Sequence, residues 1–426
     1  MLTMVAGIMI VGFVIGLPVA FTLGTATMAY FFASPYLSPA MIPLNIITGT
    51  QAESLMAIPL FMLAGGIMNT SGLTERLFRF SKSLVGHFPG GTAQVNVLAN
   101  LIMAGMSGSE LADASGIGKV LIPTMKKEGY DSEFAAALTG AASTIGPIFP
   151  PSIPMVLIGG ITGISIGKLF VGGVIPGIFM AGYLMVMVYY LAKKRNYPRS
   201  ERVPLKELAK SFVISIPALS APVIIIGGMV TGIFTPNEAG VVACFYAMAI
   251  ALFVYRDLKL SKVFSELVAT AIYTAKIMFI VGCAYALAWV FSREQMGLYL
   301  TKVLTSVSAD PTVILFLIVM SFLIAGCFLN PSALIIIFIP LLMPVVNSVH
   351  MDPVVFGVVS TLALMIGLMT PPFGLCMYIV CDIAKISVKQ LTIASFPFYV
   401  VLLLALLTMI IFPQTVTYLP NLLFAK

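Results

Sequence analysis

The sequence predicts an all-α polytopic membrane protein built on an inverted repeat, with two re-entrant helical hairpins and two discontinuous helices. Three observations predict it. The chain has 426 residues, of which 60% are hydrophobic and 9% charged, against roughly 45–50% and about 25% in a soluble domain. No charged residue precedes Glu53, and residues 134–167 and 311–351 also lack Asp, Glu, Lys and Arg. These stretches outlast the roughly 20 residues that carry a helix across a bilayer. Finally, the segment from Gly105 to Ser152 recurs 221 residues later in one gap-free register, with Gly105 on Gly326, Ser109 on Asn330, Pro123 on Pro344, Asp131 on Asp352, Gly146 on Gly367 and Pro150-Pro151 on Pro371-Pro372. Matched Gly, Pro and Asp carry more weight than matched apolar residues, because they fix backbone geometry.

The first helix lies within residues 2–33 and reads as a retained span, since its apolar run exceeds the 7–15 residues or so of a signal-peptide core. Residues 34–43 are a loop, and 55–68 a second apolar segment. In 73–85, Arg76, Arg79 and Lys82 alternate with Leu77, Phe78, Phe80 and Leu84, an amphipathic helix suited to the interface. His87 follows as an interfacial side chain. Residues 91–106 are short and polar for a span, with Gln94, Asn96 and Asn100, and meet Ser107-Gly108-Ser109. A second short helix returns to Lys126-Lys127, completing a hairpin whose irregular tip survives at membrane depth only under protein or water.

Residues 131–145 and 153–163 are two halves of one helix interrupted at 146–152. A span over 168–191 ends in the basic segment 193–210, and spans over 211–230 and 238–254 follow. Arg256, Lys259 and Lys262 come next, then an amphipathic stretch over 260–276, an apolar one to Phe291, and a helix over 293–307. Residues 311–329 and 332–349 form the second hairpin with its tip at Asn330-Pro331, residues 354–369 and 373–383 the second broken helix, and 391–412 the last span. The corresponding organisation is scaffold and interfacial arm in 1–90, first transport repeat in 91–165, scaffold in 166–310, second transport repeat in 311–386 and a C-terminal helix in 387–426.

Segment 193–210 has seven basic residues against Glu201 and Glu207, which places it in the cytoplasm together with the N-terminus. Counting spans from there puts Lys126-Lys127 inside and 349–353 outside, so the hairpins enter from opposite faces. Inverted repeats with discontinuous helices mark secondary transporters with midplane binding sites. The net charge of +7 then belongs to a basic cytoplasmic surface, and no nucleic-acid partner is expected. The five cysteines lack metal-ligand spacing and read as packing residues. No Gly-x4-Gly-Lys-[Ser/Thr] pattern occurs, so an ion gradient rather than ATP would supply the energy.

Helix N-termini favour anions, while unwound carbonyls and helix C-termini favour cations. Ser107-Gly-Ser-Glu110 fits a capping box at the first tip, and Asn330-Pro331 an N-cap and first helical residue at the second. Ser143, Thr144 and Gly146 in the first break, and Gly367, Met369 and Thr370 in the second, are the matching oxygen acceptors. Neutral oxygens suit sodium better than a transition metal. Glu110 and Asp113 lie three apart on one face; capping, dipole compensation or pairing with Lys119 is favoured over a proton role.

The motifs Ile58-Pro-Leu-Phe-Met-Leu-Ala-Gly65, Ser107-Gly-Ser109, Ile122-Pro-x-Met-Lys-Lys-x-Gly-Tyr-Asp131, Pro150-Pro-Ser-Ile-Pro154, Phe234-Thr-Pro-x-Glu-Ala239 and Gly367-Leu-Met-Thr-Pro-Pro-x-Gly374 resemble the large membrane (M) subunit of tripartite ATP-independent periplasmic (TRAP) transporters. The resemblance covers nearly the whole chain. It implies an elevator-type, sodium-coupled carrier in a bacterial inner membrane, with a small four-helix membrane (Q) subunit and a periplasmic binding (P) protein that delivers an organic-acid anion. It maps one sodium site to Ser107 and Ser109 facing Ser143, Thr144 and Gly146, and a second to Gly326 and Asn330 facing Gly367, Met369 and Thr370. The anion then lies near Ser109, Ser152, Asn330 and Thr370. Members often carry an acidic residue and threonines around the second tip, where this chain has Asn330-Pro-Ser-Ala333. The core offers no arginine to clamp a second carboxylate, which tilts the expectation toward a monocarboxylate such as a sialic acid. The alternatives are a stand-alone sodium:dicarboxylate symporter and a channel; no paired catalytic constellation suggests an enzyme.

Overall fold

The computed structural model describes residues 1–256, 260–372 and 374–424, and those residues contain helices and no strand. Lys259 and Phe373, used in the reading above, lie outside the described residues. In chain order the helices are α1 (Leu2–Val14), α2 (Val19–Ala33), α3 (Met41–Thr50), α4 (Ala57–Thr70), α5 (Leu73–Val85), α6 (Gly91–Ser107), α7 (Glu110–Lys127), α8 (Ser132–Ser143), α9 (Ile153–Thr162) and α10 (Ile166–Arg195). They continue as α11 (Leu205–Val230), α12 (Pro236–Ala249), α13 (Leu260–Arg293), α14 (Met296–Val307), α15 (Pro311–Gly326), α16 (Pro331–Ser348), α17 (Pro353–Leu368), α18 (Leu375–Ala384), α19 (Val388–Ile411) and α20 (Gln414–Leu423). Seven helices among the described residues are long and apolar enough to cross a membrane.

Several boundaries correct the sequence reading. The leading apolar block is two helices, because Gly16 at φ +77 and Pro18 interrupt it. Glycine takes that left-handed conformation without a Cβ clash, and proline lacks the N–H that would continue the helix. Segment 34–43 is only partly loop, since α3 begins at Met41. The amphipathic and apolar halves expected over 260–291 form one helix of 34 residues, α13, with no Gly-Pro pair to break it. α20 follows Pro413, where the reading stopped at Phe412.

The hairpin arms are also longer than half-spans. They have 16 to 18 residues, about 24–27 Å at 1.5 Å per residue, and α16 by itself passes the length and hydropathy criteria for a span.

The 221-residue register carries through to the helix ends. α7 runs from Glu110 to Lys127 and α16 from Pro331 to Ser348, and α8 and α17 start at Ser132 and Pro353. Ser109 and Asn330 each cap the helix after their tip. The Pro150–Pro151 and Pro371–Pro372 peptides are both cis.

Each half packs on the other: α9 on α16, α18 on α7 and α8, α19 on α8, and α10 on α17. α13 lies along α2, α3 and α4, while α12 pairs with α4. The polar residues that made α6 look unsuited to lipid face protein instead. Gln94 Nε2 donates to the Met185 carbonyl at 3.0 Å, Asn96 Nδ2 to Thr139 Oγ1 at 2.7 Å, and Asn100 Nδ2 to Asn96 Oδ1 at 2.8 Å. The first two bonds tie α6 to α10 and α8, while Gln94 Oε1 and Asn100 Oδ1 are buried without a partner among the described residues. On α5, Leu73, Leu77 and Phe80 are buried and Arg79 is exposed, as its spacing requires, with the helix packed against α6 and α11.

Candidate binding site between the hairpin tips

At the first tip α6 ends on Gly108, whose φ of +60 turns the chain, and Ser109 enters the next helix in extended conformation. Ser109 is therefore the residue placed to cap α7: the Ala112 N–H donates to its Oγ at 3.4 Å. This corrects the expected capping box, because Ser107 is still the last residue of α6 and Glu110 already the first of α7. The tip is locked to the first break by close backbone approach. Ile153 N donates to the Gly108 carbonyl at 3.3 Å, and a Cβ on Gly108 would stand 2.5 Å from the Pro151 carbonyl oxygen.

The carboxylates of Glu110 and Asp113 turn inward from the first turn of α7. They are 2% and 1% exposed, and none of their four oxygens has a hydrogen-bond partner among the described residues. Asp113 Oδ2 lies against Gly146, where a Cβ would meet it at 2.4 Å. Cys376 of α18 neighbours Glu110, and Ser107 neighbours Asp113. The expected pairing with Lys119 is absent: Lys119 is exposed on a different part of α7 and forms no ion pair among the described residues. Helix periodicity explains this, since residues six and nine positions apart do not face each other as residues three or four apart do.

Across from this tip, Ser143 Oγ donates to the Gly140 carbonyl and Thr144 Oγ1 to the Ala141 carbonyl, each at 2.7 Å. Both hydroxyl protons are thus spent on the helix, and their oxygens keep lone pairs. The main-chain carbonyls of Thr144 and Gly146, beyond the end of α8, accept no hydrogen bond among the described residues. Buried carboxylates and unbonded carbonyls around one point suit a hard cation, which takes oxygen ligands. No group of three or more His, Cys, Asp or Glu placed to hold a metal ion occurs among the described residues.

The second tip meets its break about as closely. A Cβ on Gly367 would stand 2.6 Å from both Cα and the carbonyl carbon of Gly326. Asn330 Oδ1 accepts from the Ser332 N–H at 2.9 Å, capping α16. Thr370 Oγ1 donates to the Ile366 carbonyl at 2.7 Å, and the Thr370 N–H to the Gly367 carbonyl at 3.0 Å. The Met369 carbonyl already accepts the Tyr399 hydroxyl, so one of its lone pairs is taken. Met369 Sδ packs on Gly140, tying the second break to α8.

Ser109 and Asn330 line one cavity between the tips, with Glu110, Pro147, Tyr273 and Met365 among its walls. Ser152 and Thr370 do not line it. Ser152 is fully buried, donates to the Pro147 carbonyl and caps α9 through Met155 N at 3.2 Å. The cavity holds about 50 Å³, room for a water or two at roughly 30 Å³ each. Tyr273, on α13, was not singled out by the sequence reading; nothing in a long apolar helix marks which turn faces a cavity.

A many-span helical bundle whose two capped tips converge on one internal cavity is the architecture of a membrane permease. The comparisons agree. A family description, the DctM component of tripartite ATP-independent periplasmic transporters, matches residues 6–415, and the chain belongs to that family. It is 39% identical over 407 residues to the sialic acid TRAP transporter large permease protein SiaM of Vibrio cholerae, covering 96% of this chain and 95% of that one. It is 37% identical over 409 residues to the sialic acid TRAP transporter permease protein SiaT of Haemophilus influenzae, covering 96% of this chain. The chain spans only 66% of that longer relative. In fold alone it is similar to the Alcanivorax borkumensis YdaH transporter, at a TM-score of 0.64, 15% identity, and 92% and 96% coverage of the two chains. Members of this family are transporter permeases, not enzymes.

Proposed function

We propose that the chain is the large membrane subunit of a sodium-coupled secondary carrier that takes up an organic-acid anion by an elevator motion. The observation that carries this reading is the meeting of Ser109 and Asn330, the two repeat-related caps, in one small cavity. Two helix N-termini directed at one point favour a carboxylate. In the same reading the anion is delivered by a periplasmic binding protein, and a small four-helix membrane subunit accompanies this chain. The relatives' printed names support a sialic acid as the first substrate to test, with a C4-dicarboxylate as the runner-up.

Sodium is held at the first tip by Ser107, Ser109, Ser143, Thr144 and Gly146, and at the second by Gly326, Asn330, Gly367, Met369 and Thr370. The unpartnered Glu110 and Asp113 support the first assignment, since a buried carboxylate without a partner is costly and a cation relieves that cost. At the second, the Gly326–Gly367 contact supports a ligand set drawn from backbone of both elements. The repeats are inverted in the membrane, with the N-terminus and segment 193–210 in the cytoplasm and the chain in a bacterial inner membrane. Residues 91–165 and 311–386 then form the moving body, and 1–90, 166–310 and 387–426 the remainder.

The test is uptake of labelled sialic acid and succinate into proteoliposomes containing this chain, the small subunit and the binding protein. Uptake that requires a sodium gradient is expected for one of the two. Uptake indifferent to sodium sinks the coupling, and uptake without either partner replaces this reading with a stand-alone symporter.

A further inference from the structure

Beside the narrow cavity between the tips lies a wider one of about 530 Å³, within the 300–1,000 Å³ or so usual for small-molecule sites. Three helix faces form it at three- and four-residue spacing. α7 contributes Ser115 and Lys119, α4 Gly66 and Asn69, and α13 Glu266 and Ala269. Small residues on each face leave the volume open. Ser109, Leu111, Ile153 and Tyr273 line both cavities, so an anion leaving the tips meets this vestibule directly.

Its polar groups are unspent. Lys119 is exposed, makes no ion pair among the described residues, and is the one basic side chain lining either cavity among those residues. Asn69 Oδ1 is buried without a hydrogen-bond partner among the described residues, facing Gly116 of α7 at 3.6 Å from where a Cβ would stand. Glu266 of α13 sets its carboxylate against Gly66 of α4 and is likewise in no ion pair among the described residues. The vestibule thus offers a cation for a carboxylate, an orphan acceptor for a hydroxyl and an opposing carboxylate that weakens the hold.

We infer that this vestibule is a second subsite, a release station for hydroxylated organic acids, in which Lys119 takes the carboxylate and Asn69 accepts a hydroxyl. The inference rests on the carrier reading proposed above and adds to it residues that neither tip contains. Lys119 lies two turns from Lys126-Lys127 on α7, on the cytoplasmic side in that reading. Glu266 keeps residence short: like charge opposes the anion, whereas Lys119 alone would trap it.

The experiment uses the full complex in proteoliposomes, with labelled sialic acid and succinate as probes, and measures the internal concentration of unlabelled acid that halves initial uptake. Lys119→Gln raises that concentration about tenfold, equivalent to about 1.4 kcal/mol, while the external half-saturation moves by less than about twofold. Lys119→Arg keeps the wild-type value, and Glu266→Gln lowers it. Because Lys119 is exposed, these changes leave the packed core intact. The subsite is overturned if Lys119→Gln leaves internal inhibition unchanged, if it shifts both sides alike, or if Glu266→Gln moves in the same direction. A wild-type complex that imports an acid but shows no internal inhibition also overturns it, with the carrier reading intact. Import of neither acid sinks the carrier reading, and this inference with it.

Discussion

Single atoms decide whether the two tips can seat against their breaks. Gly367, where the second tip's helix meets its break, and Gly140 of α8, where Met369 of that break packs, make a telling pair, because each approaches a neighbour closer than any Cβ allows. In Gly367→Ala the methyl carbon would stand 2.6 Å from Gly326 main-chain atoms. Backbone cannot swing aside as a side chain can, so the second tip must shift, at about 1–3 kcal/mol for overpacking. Gly140→Ala meets only Met369 Sδ and Cε, at 2.4 and 2.6 Å, and a flexible thioether can move. Transport should therefore fall further in Gly367→Ala than in Gly140→Ala at equal membrane levels; equal loss would show that tip seating is not what the glycines protect. Ser109→Ala removes a cap that lines the tip cavity, whereas Ser71→Ala removes only a local bond to the Met68 carbonyl at 2.8 Å. Uptake should suffer more from the former.

Asp113→Asn should raise the sodium concentration for half-maximal uptake about tenfold, since it replaces the carboxyl oxygen beside Gly146; an unchanged sodium dependence in that variant would dismiss the first cation site. The sequence showed Glu110 and Asp113 three residues apart, but not their partners. A Ser-Gly-Ser-Glu string is compatible with either serine as cap, and only the left-handed turn at Gly108 decides for Ser109.

At the level of helices, the 221-residue register was legible because Gly, Pro and Asp fix ends, and the ends are where the two halves agree. What it could not show is how matched residues diverge in use. Asp352 caps α17 by accepting from Val354 N and Val355 N at 2.7 and 3.3 Å. Its counterpart Asp131 also precedes a helix, yet its side chain accepts from Arg195 Nη1 at 2.9 Å and the Tyr197 hydroxyl at 2.5 Å. The cause is local: a basic segment follows α10 within reach of Asp131. Asp352→Ala should cost about 1 kcal/mol as a lost cap. Asp131→Ala should cost less, because an ion pair with partners 41% and 55% exposed contributes about 0–1 kcal/mol. Thermal unfolding of the purified complex in detergent should rank the two in that order, and the reverse ranking would mean that the Arg195–Tyr197 cluster anchors more than one side chain. The continuous α13 and the split between α1 and α2 were missed for a related reason. Amphipathicity and hydropathy change gradually along a chain, whereas a Gly-x-Pro sequence stops a helix abruptly.

For the molecule as a whole, the vestibule walls divide between the two proposed bodies. In the elevator reading α7 belongs to the body that moves, and α4 and α13, which pack on each other and on α2, α3 and α12, to the one that stays. Ser115 and Ala269 line one cavity from the two sides of that boundary. If the carrier works as an elevator, α7 must move relative to α13 by more than a side chain's length in each cycle, so a covalent bridge between these positions has to stop it. In a background with Cys244, Cys283, Cys327, Cys376 and Cys381 replaced, the pair Ser115→Cys and Ala269→Cys should lose sodium-driven uptake on treatment with a short reducible bis-thiol cross-linker and recover it with reductant. A pair placed within the scaffold, such as Phe21→Cys with Phe279→Cys, whose rings meet edge to face at 5.7 Å across α2 and α13, should tolerate the same bridge. Full cross-linking at 115 and 269 with uptake retained would rule out that movement and leave the hairpin tips alone to gate the path.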